Sequence, residues 1–255
     1  MTRSLEEVEL VLELSAADRQ PGEIARLTGV PRSTVYRWIR GRTPTRTPRA
    51  TCMRCTPERF SVFRCLTESA YAYLLGMYLG DGCLASHRRG VFRLEITLDG
   101  LYPRIIAECE AATSLVMPSN RVSVKARAQE RAVDVSAYSQ HWPCLFPQHG
   151  PGHKHRRPIE LVDWQREIVD RYPNRLLRGL IHSDGCRGVN TIRHPKRTYV
   201  YPRYQFSNRS ADIRAIFCEY CDKLAIKWRQ MNRFNISVSR AESVARLDRF
   251  VGPKR

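Results

Sequence analysis

Asp81 and Asp184 stand in matching surroundings and carry the first chemical signal of this chain. Asp81 lies in LLGMYLGDGCL at 74–84, and Asp184 in LRGLIHSDGCR at 177–187. Each copy is a helical run with a small residue, a second small residue four positions later, and then Asp-Gly-Cys. Gly76 and Gly80 share one helix face in the first copy, as do Gly179 and Ser183 in the second. Small residues at that spacing let two helix backbones approach closely. If the two helices pack on each other about a pseudo-twofold, their C-terminal ends lie side by side and Asp81 meets Asp184. Two carboxylates in close proximity repel unless a cation sits between them. Oxygen donors of this kind suit a hard divalent ion, Mg2+ above all and Mn2+ after it.

The elements needed to hold these acids repeat as well. FRLEITLDGLYPRIIAECEAA resembles RYQFSNRSADIRAIFCEYCDK, an alternating strand, a turn and a helix. A further strand and short helix follow in each copy, so each half reads helix, two strands, helix, two strands, helix. A period of about one hundred residues is too long for a solenoid unit. It predicts two half-domains, 69–163 and 164–255, joined in one monomeric chain with pseudo-twofold symmetry. In the stretch 91–98, Phe92, Leu94, Ile96 and Leu98 share one face, and Arg93, Glu95 and Thr97 share the other. Arg203, Gln205 and Ser207 match the polar set in the second copy, while Lys125 and Arg127 extend it on a third strand. Such a face is either solvated sheet surface or a reader of base edges in a major groove. RHPKRTYVYPRY, at 193–204, adds a basic, aromatic hairpin.

The first 43 residues follow a different plan. LEEVELVLELSAADRQ places Leu5, Val8, Leu12 and the neighbourhood of Ser15 on one face and predicts a first helix. PGEIARLTGV and PRSTVYRWIRG each open on proline and close on glycine, Gly29 and Gly41. Ile24, Val30, Val35 and Trp38 have the spacing of a shared core, with the small Ala25 where helices cross. The stretch resembles the helix-turn-helix of bacterial repressors and recombinases. Arg32, Ser33, Tyr36, Arg37 and Arg40 remain on the free face of the second of these helices, placed to reach bases and phosphates. The bland alternative is a helical hairpin with a solvated basic face. Eight arginines and no acid fall between Ile24 and Thr56, and 44–68 reads as an extended basic linker. Within it, Cys52 and Cys55 form half of a zinc site. Cys144 and one of His149, His153 or His155 would complete it; the alternative is a pair of small buried thiols. Cys218 and Cys221 have the same spacing inside a helical pattern and are expected in the core.

The formal net charge of +18 points to nucleic acid first and an anionic membrane second. The longest apolar run, Leu74–Leu79, is far too short to span a bilayer. The opening residues lack the apolar core of a signal peptide. Nine cysteines, an odd number, read as reduced thiols of a cytoplasmic, nucleoid-associated protein.

Taken together, 74–82 and 177–185 resemble the two motifs of the LAGLIDADG (dodecapeptide, DOD-type) homing endonucleases. Residues 69–255 resemble the single-chain, two-repeat form of that family. The resemblance implies an α+β fold, a tri-helical helix-turn-helix domain followed by two αββαββα repeats that form a DNA-binding saddle. It also implies that the last acid of each motif, Asp81 and Asp184 here, binds metal and drives phosphodiester hydrolysis. Lys154 and Lys254 match the lysine that the family places after the last helix of each repeat, as catalytic groups or as simple phosphate contacts. Asn208 matches a water-orienting residue at the end of the second strand. Leu98 takes that place in the first copy, which implies unequal half-sites. The domain order is similar to that of free-standing actinobacterial proteins of this kind and the reverse of WhiA-type regulators. The expected function is site-specific, metal-dependent cleavage of double-stranded DNA. The alternative is a transcription regulator that uses an inert LAGLIDADG fold to bind. An intein is not expected, because Met1 offers no splicing nucleophile and the chain ends GPKR. The DNA-type helix-turn-helix argues against an RNA maturase.

Overall fold

The computed structural model describes residues 5–41, 64–128, 130–252 and 254, and they fall into two compact units. The first holds α1 (Leu5–Ala16), α2 (Pro21–Thr28) and α3 (Arg32–Ile39). Pro21 starts α2, where its fixed φ suits the first turn. Gly29 ends that helix at φ 66°, ψ 8°, a left-handed conformation that costs glycine little. Thr28 Oγ1 donates to the Ile24 carbonyl at 2.7 Å and accepts from Val30 N–H at 3.3 Å, steering the chain through the turn. Val8, Val11, Ile24, Val30, Val35 and Trp38 form the core of this unit, with Leu14, Ala25 and Ile39 packed against it. The stripe of α1 therefore differs from the expected Leu5–Val8–Leu12 set. Leu12 is exposed, as is Leu10. Because α1 packs on both α2 and α3, its buried row runs at i, i+3 from Val8 through Val11 to Leu14.

The second unit opens with α4 (Arg64–Gly80), β1 (Gly82–Ser86), β2 (Phe92–Asp99), α5 (Pro103–Val116), β3 (Val122–Ala126), β4 (Ala132–Ser139) and α6 (Trp142–Leu145). A leading helix, α7 (Asp163–Arg171), precedes the second pass. That pass comprises α8 (Pro173–Asp184), β5 (Gly185–His194), β6 (Arg197–Ser207), α9 (Ala211–Lys223), β7 (Arg229–Gln230), β8 (Asn235–Val238) and α10 (Ala241–Asp248). Two four-stranded antiparallel sheets result, ordered β1-β2-β4-β3 and β5-β6-β8-β7, so the repeat seen in the sequence is a repeat of topology. Strict alternation on β2 sends Phe92, Leu94, Ile96 and Leu98 into the core. The registers agree too: Gly82 faces Ile96 and Gly185 faces Phe206, which makes Leu98 and Asn208 structural counterparts. The hairpins differ in length. β5 and β6 pair over ten rungs, β1 and β2 over five.

The two sheets are joined through α4 and α8. A Cβ on Gly76 would lie 2.5 Å from the Leu176 carbonyl oxygen and 2.7 Å from Leu180 N, and one on Gly179 would overlap the Tyr73 carbonyl. Backbone is therefore packed on backbone, and α4 is buried from Tyr71 to Leu79. Among the described residues no helix is long and apolar enough to cross a membrane. Cys221 is buried in the core and Cys218 is half-buried on the same helix, α9. Cys144 is half-buried in α6. Cys52 and Cys55 lie outside the described residues, and so does the zinc expectation that rests on them.

Candidate functional site

Close packing of α4 and α8 decides where their last residues go. A Cβ on Gly80 would lie 2.5 Å from Ser183 Cβ and 2.9 Å from Asp184 Oδ2, so the two helix ends are in contact. The chain then turns directly from helix into strand. A Cβ on Gly82 would meet Tyr78 Cα at 2.6 Å, and one on Gly185 would meet Ile181 Cα at 2.7 Å, which explains the glycine after each acid. Each aspartate stands one residue before a strand, in phase with the residues on its outward face: Cys83 after Asp81, and Cys186 after Asp184.

Both acids are electrostatically crowded. Loss of hydration, and then the charge of Asp184, push the Asp81 carboxyl up to about 6, while Lys254 and Lys154 pull it back. Burial also raises Asp184, but Asn208 Nδ2–H donates to its Oδ2 at 2.6 Å and favours the charged form, as do the two lysines. Each lysine closes the C-terminus of one helix. Lys154 Nζ donates to the carbonyls of Tyr78, Leu79 at 3.0 Å and Gly80 at 2.9 Å. Lys254 Nζ donates to those of His182 at 2.7 Å and Ser183 at 3.4 Å. Carbonyls of a last helical turn have no partner within the helix and carry the negative end of its dipole. Burial pushes the Lys154 ammonium down to about 8, against the pull of Asp184 and Asp81, and lowers that of Lys254.

Two topologically identical repeats, joined by glycine-packed helices whose ends carry the two acids, match the LAGLIDADG fold that the sequence resembles.

The Homeodomain-like domain family matches residues 2–42. Mesophilic variants of the homing endonuclease I-DmoI are similar in structure, at 11% identity over 73% of this chain and 96% of that one, with a TM-score of 0.49. The LAGLIDADG meganuclease I-AabMI bound to uncleaved DNA is similar at 11% identity over 71% and 82%, TM-score 0.45. Full-length DUF199/WhiA from Thermatoga maritima is similar at 14% identity over 74% and 57%, TM-score 0.44. No curated protein matches the sequence.

The counterparts Asn208 and Leu98 have different surroundings in the two repeats. Asn208 binds Asp184 and accepts from Ser210 N–H at 2.7 Å through Oδ1. Leu98 is buried and pairs with Val133. On the outward face of the first sheet, Arg93 pairs with Glu95 at 2.7 Å. Arg127 pairs with Asp134 at 2.8 Å and reaches Glu95 at 3.4 Å. Lys125 is exposed there. On the second sheet Arg203 and Gln205 are half-buried, and Arg203 makes no ion pair among the described residues. Arg32, Ser33, Tyr36, Arg37 and Arg40 are all exposed on α3 or just after it, and the Arg32 guanidinium lies 5.7 Å from the Tyr36 ring centre.

One cluster escaped the sequence reading. Glu108 of α5 accepts from Arg175 at 2.9 Å and from Arg178 at 2.7 Å. Arg178 also donates to the carbonyls of Phe250 and Val251, a few residues before Lys254. Beside them, Tyr73 Oη and His182 Nδ1 are 3.0 Å apart, and burial pushes the His182 imidazole down to about 3. An acid inside the apolar IIAECEAA and two arginines at i, i+3 on α8 were the available signals.

Proposed function

We propose that the protein is a site-specific endonuclease that hydrolyses double-stranded DNA with a divalent metal. The observation that carries this reading is the meeting of Asp81 and Asp184 at two packed helix ends, each end capped by its own lysine. The donor set fits a hard cation: two carboxylates whose proton affinity is raised by burial, with the charge of Asp184 adding to the rise at Asp81. Asp81 and Asp184 would hold Mg2+ or Mn2+, which supplies charge against the phosphate and acidifies an attacking water. Asn208 orients the Asp184 carboxylate. Lys154 and Lys254 keep positive charge beside the acids while fixing the helix ends. Arg93, Lys125, Arg127, Arg203 and Gln205 face the duplex from the two repeats, 69–163 and 164–255, in a monomer. The helix-turn-helix of 1–43 adds affinity through Arg32, Ser33, Tyr36, Arg37 and Arg40, tethered by 44–68.

A regulator that binds without cutting is the second reading, favoured by the helix-turn-helix and by Leu98 standing in the first repeat where Asn208 stands in the second. Selection of bound and of cut duplexes from a random library, with Mg2+ or Mn2+ present, separates the two. The endonuclease cuts its selected duplex, and Asp81→Asn or Asp184→Asn abolishes cutting while binding persists. Specific binding with no cleavage in either metal leaves the regulator.

A further inference from the structure

We infer that the two sheets divide DNA recognition between them, the first as a charge-compensated reader of base sequence and the second as the affinity-bearing face. The inference rests on the proposed placement of both sheets against DNA. Strand registers make the comparison position by position. Arg93, Glu95 and Thr97 correspond to Arg203, Gln205 and Ser207. Thr97 faces Asp134, and Ser207 faces Asn235. The same outward lattice thus carries two carboxylates in the first repeat, Glu95 and Asp134, and their two amides in the second.

That exchange changes what the arginines can do. Glu95 and Asp134 hold Arg93 and Arg127 in ion pairs on the first sheet, with Thr97 Oγ1 also donating to Asp134 at 2.8 Å. Two guanidinia offset by two carboxylates give phosphates little net attraction. Pinned guanidinia present donors in fixed directions, which suits guanine O6 and N7, and a carboxylate accepts from cytosine N4. A duplex that lacks those edges must cover the ion pairs without compensating hydrogen bonds and is rejected. On the second sheet, Gln205 and Asn235 are neutral, and neither Arg203 nor Arg229 has an ion pair among the described residues. The hairpin of β5 and β6 then continues the same outward row through Tyr201, Tyr199 and Arg197. The two tyrosine rings are stacked with centres 6.2 Å apart. This half offers free charge and length, the attributes of sequence-tolerant backbone binding.

The test measures binding by the full chain in EDTA, so that cleavage plays no part. Probes are a random-sequence duplex pool and the duplex recovered by selection, each titrated across a salt series. Glu95→Gln with Asp134→Asn should tighten binding to the pool on the order of tenfold and steepen its salt slope by about two. The preference for the selected duplex should fall, through the base pairs of one half-site. Gln205→Glu with Asn235→Asp should do the reverse. Arg203→Ala should weaken both probes alike and flatten the slope by about one. An unchanged salt slope in both double variants, with melting temperatures showing them folded, overturns the division of labour. If the wild-type chain binds no duplex at any salt, the DNA reading beneath it falls as well.

Discussion

Replacing Gly76 with alanine tests whether the helix seam holds the site together. The new methyl would lie 2.5 Å from the Leu176 carbonyl oxygen, 2.7 Å from Leu180 N and 2.9 Å from Gly179 Cα. Ordinary carbon–oxygen approach is about 3.3–3.6 Å. All three neighbours are backbone atoms, so no side chain can swing away, and the helices must part by about 1 Å. A gap of that size forfeits roughly a quarter to a half of each contact it opens. One leucine's share, about 40 contacts at ~0.1 kcal/mol, then loses about 1–2 kcal/mol. More than one side chain faces the seam, and alanine regains about 1 kcal/mol in helix propensity. The expected net loss is about 2–3 kcal/mol, read as a lower urea midpoint at constant m. Gly188→Ala is the control: nothing lies within 4 Å of its added methyl, and its midpoint should hold or rise. A Gly76→Ala protein as stable as wild type would mean that the helices are not in backbone contact, and the pairing of Asp81 with Asp184 would lose its basis.

Two further expectations concern charge at the site. Asp81 titrates near 6 in the folded chain against an ordinary value of 3.8, so the folded state binds its proton more tightly than the unfolded one. Stability from this group is complete below pH 3.8 and is lost as pH rises through about 6. Because Asp81 keeps much of its surface in water, the loss is discounted to about 1 kcal/mol. Asp81→Asn should remove it in urea melts across that window. Asn208→Leu removes hydrogen bonds of 2.6 and 2.7 Å, one of them to a carboxylate. It should cost about 2 kcal/mol and raise the Asp184 titration followed by NMR.

The parts legible in the sequence were those with a short period. Apolar alternation placed β2, and the glycines at i and i+4 anticipated the contact of α4 with α8. Pro21 and Gly29 bounded α2. Errors arose where a second partner intervened. On α1 the expected stripe included Leu12, but two helices pack on α1 and the buried row passes through Val11 instead. The lysines were found by position, whereas their carbonyl partners on helix ends some 70 residues away have no local signature. The exchange of Glu95 for Gln205 was open to the sequence match, but that of Asp134 for Asn235 was not: 37 residues separate Thr97 from Asp134 and 28 separate Ser207 from Asn235, so only strand register aligns them. Glu108 was masked by the apolar helix that carries it.

The seam between α4 and α8 also bears on how the chain is made. Gly179 follows Gly76 by 103 residues, and ribosomes add about 5–20 residues per second. The glycine face of α4 therefore waits on the order of 5–20 s for its partner to be synthesised. During that interval the nascent first repeat carries an apolar, backbone-exposing surface that the finished α8 of a neighbouring chain on the polysome also fits. Slow translation between the repeats would lengthen that exposure and favour exchanged dimers over the self-contained protein.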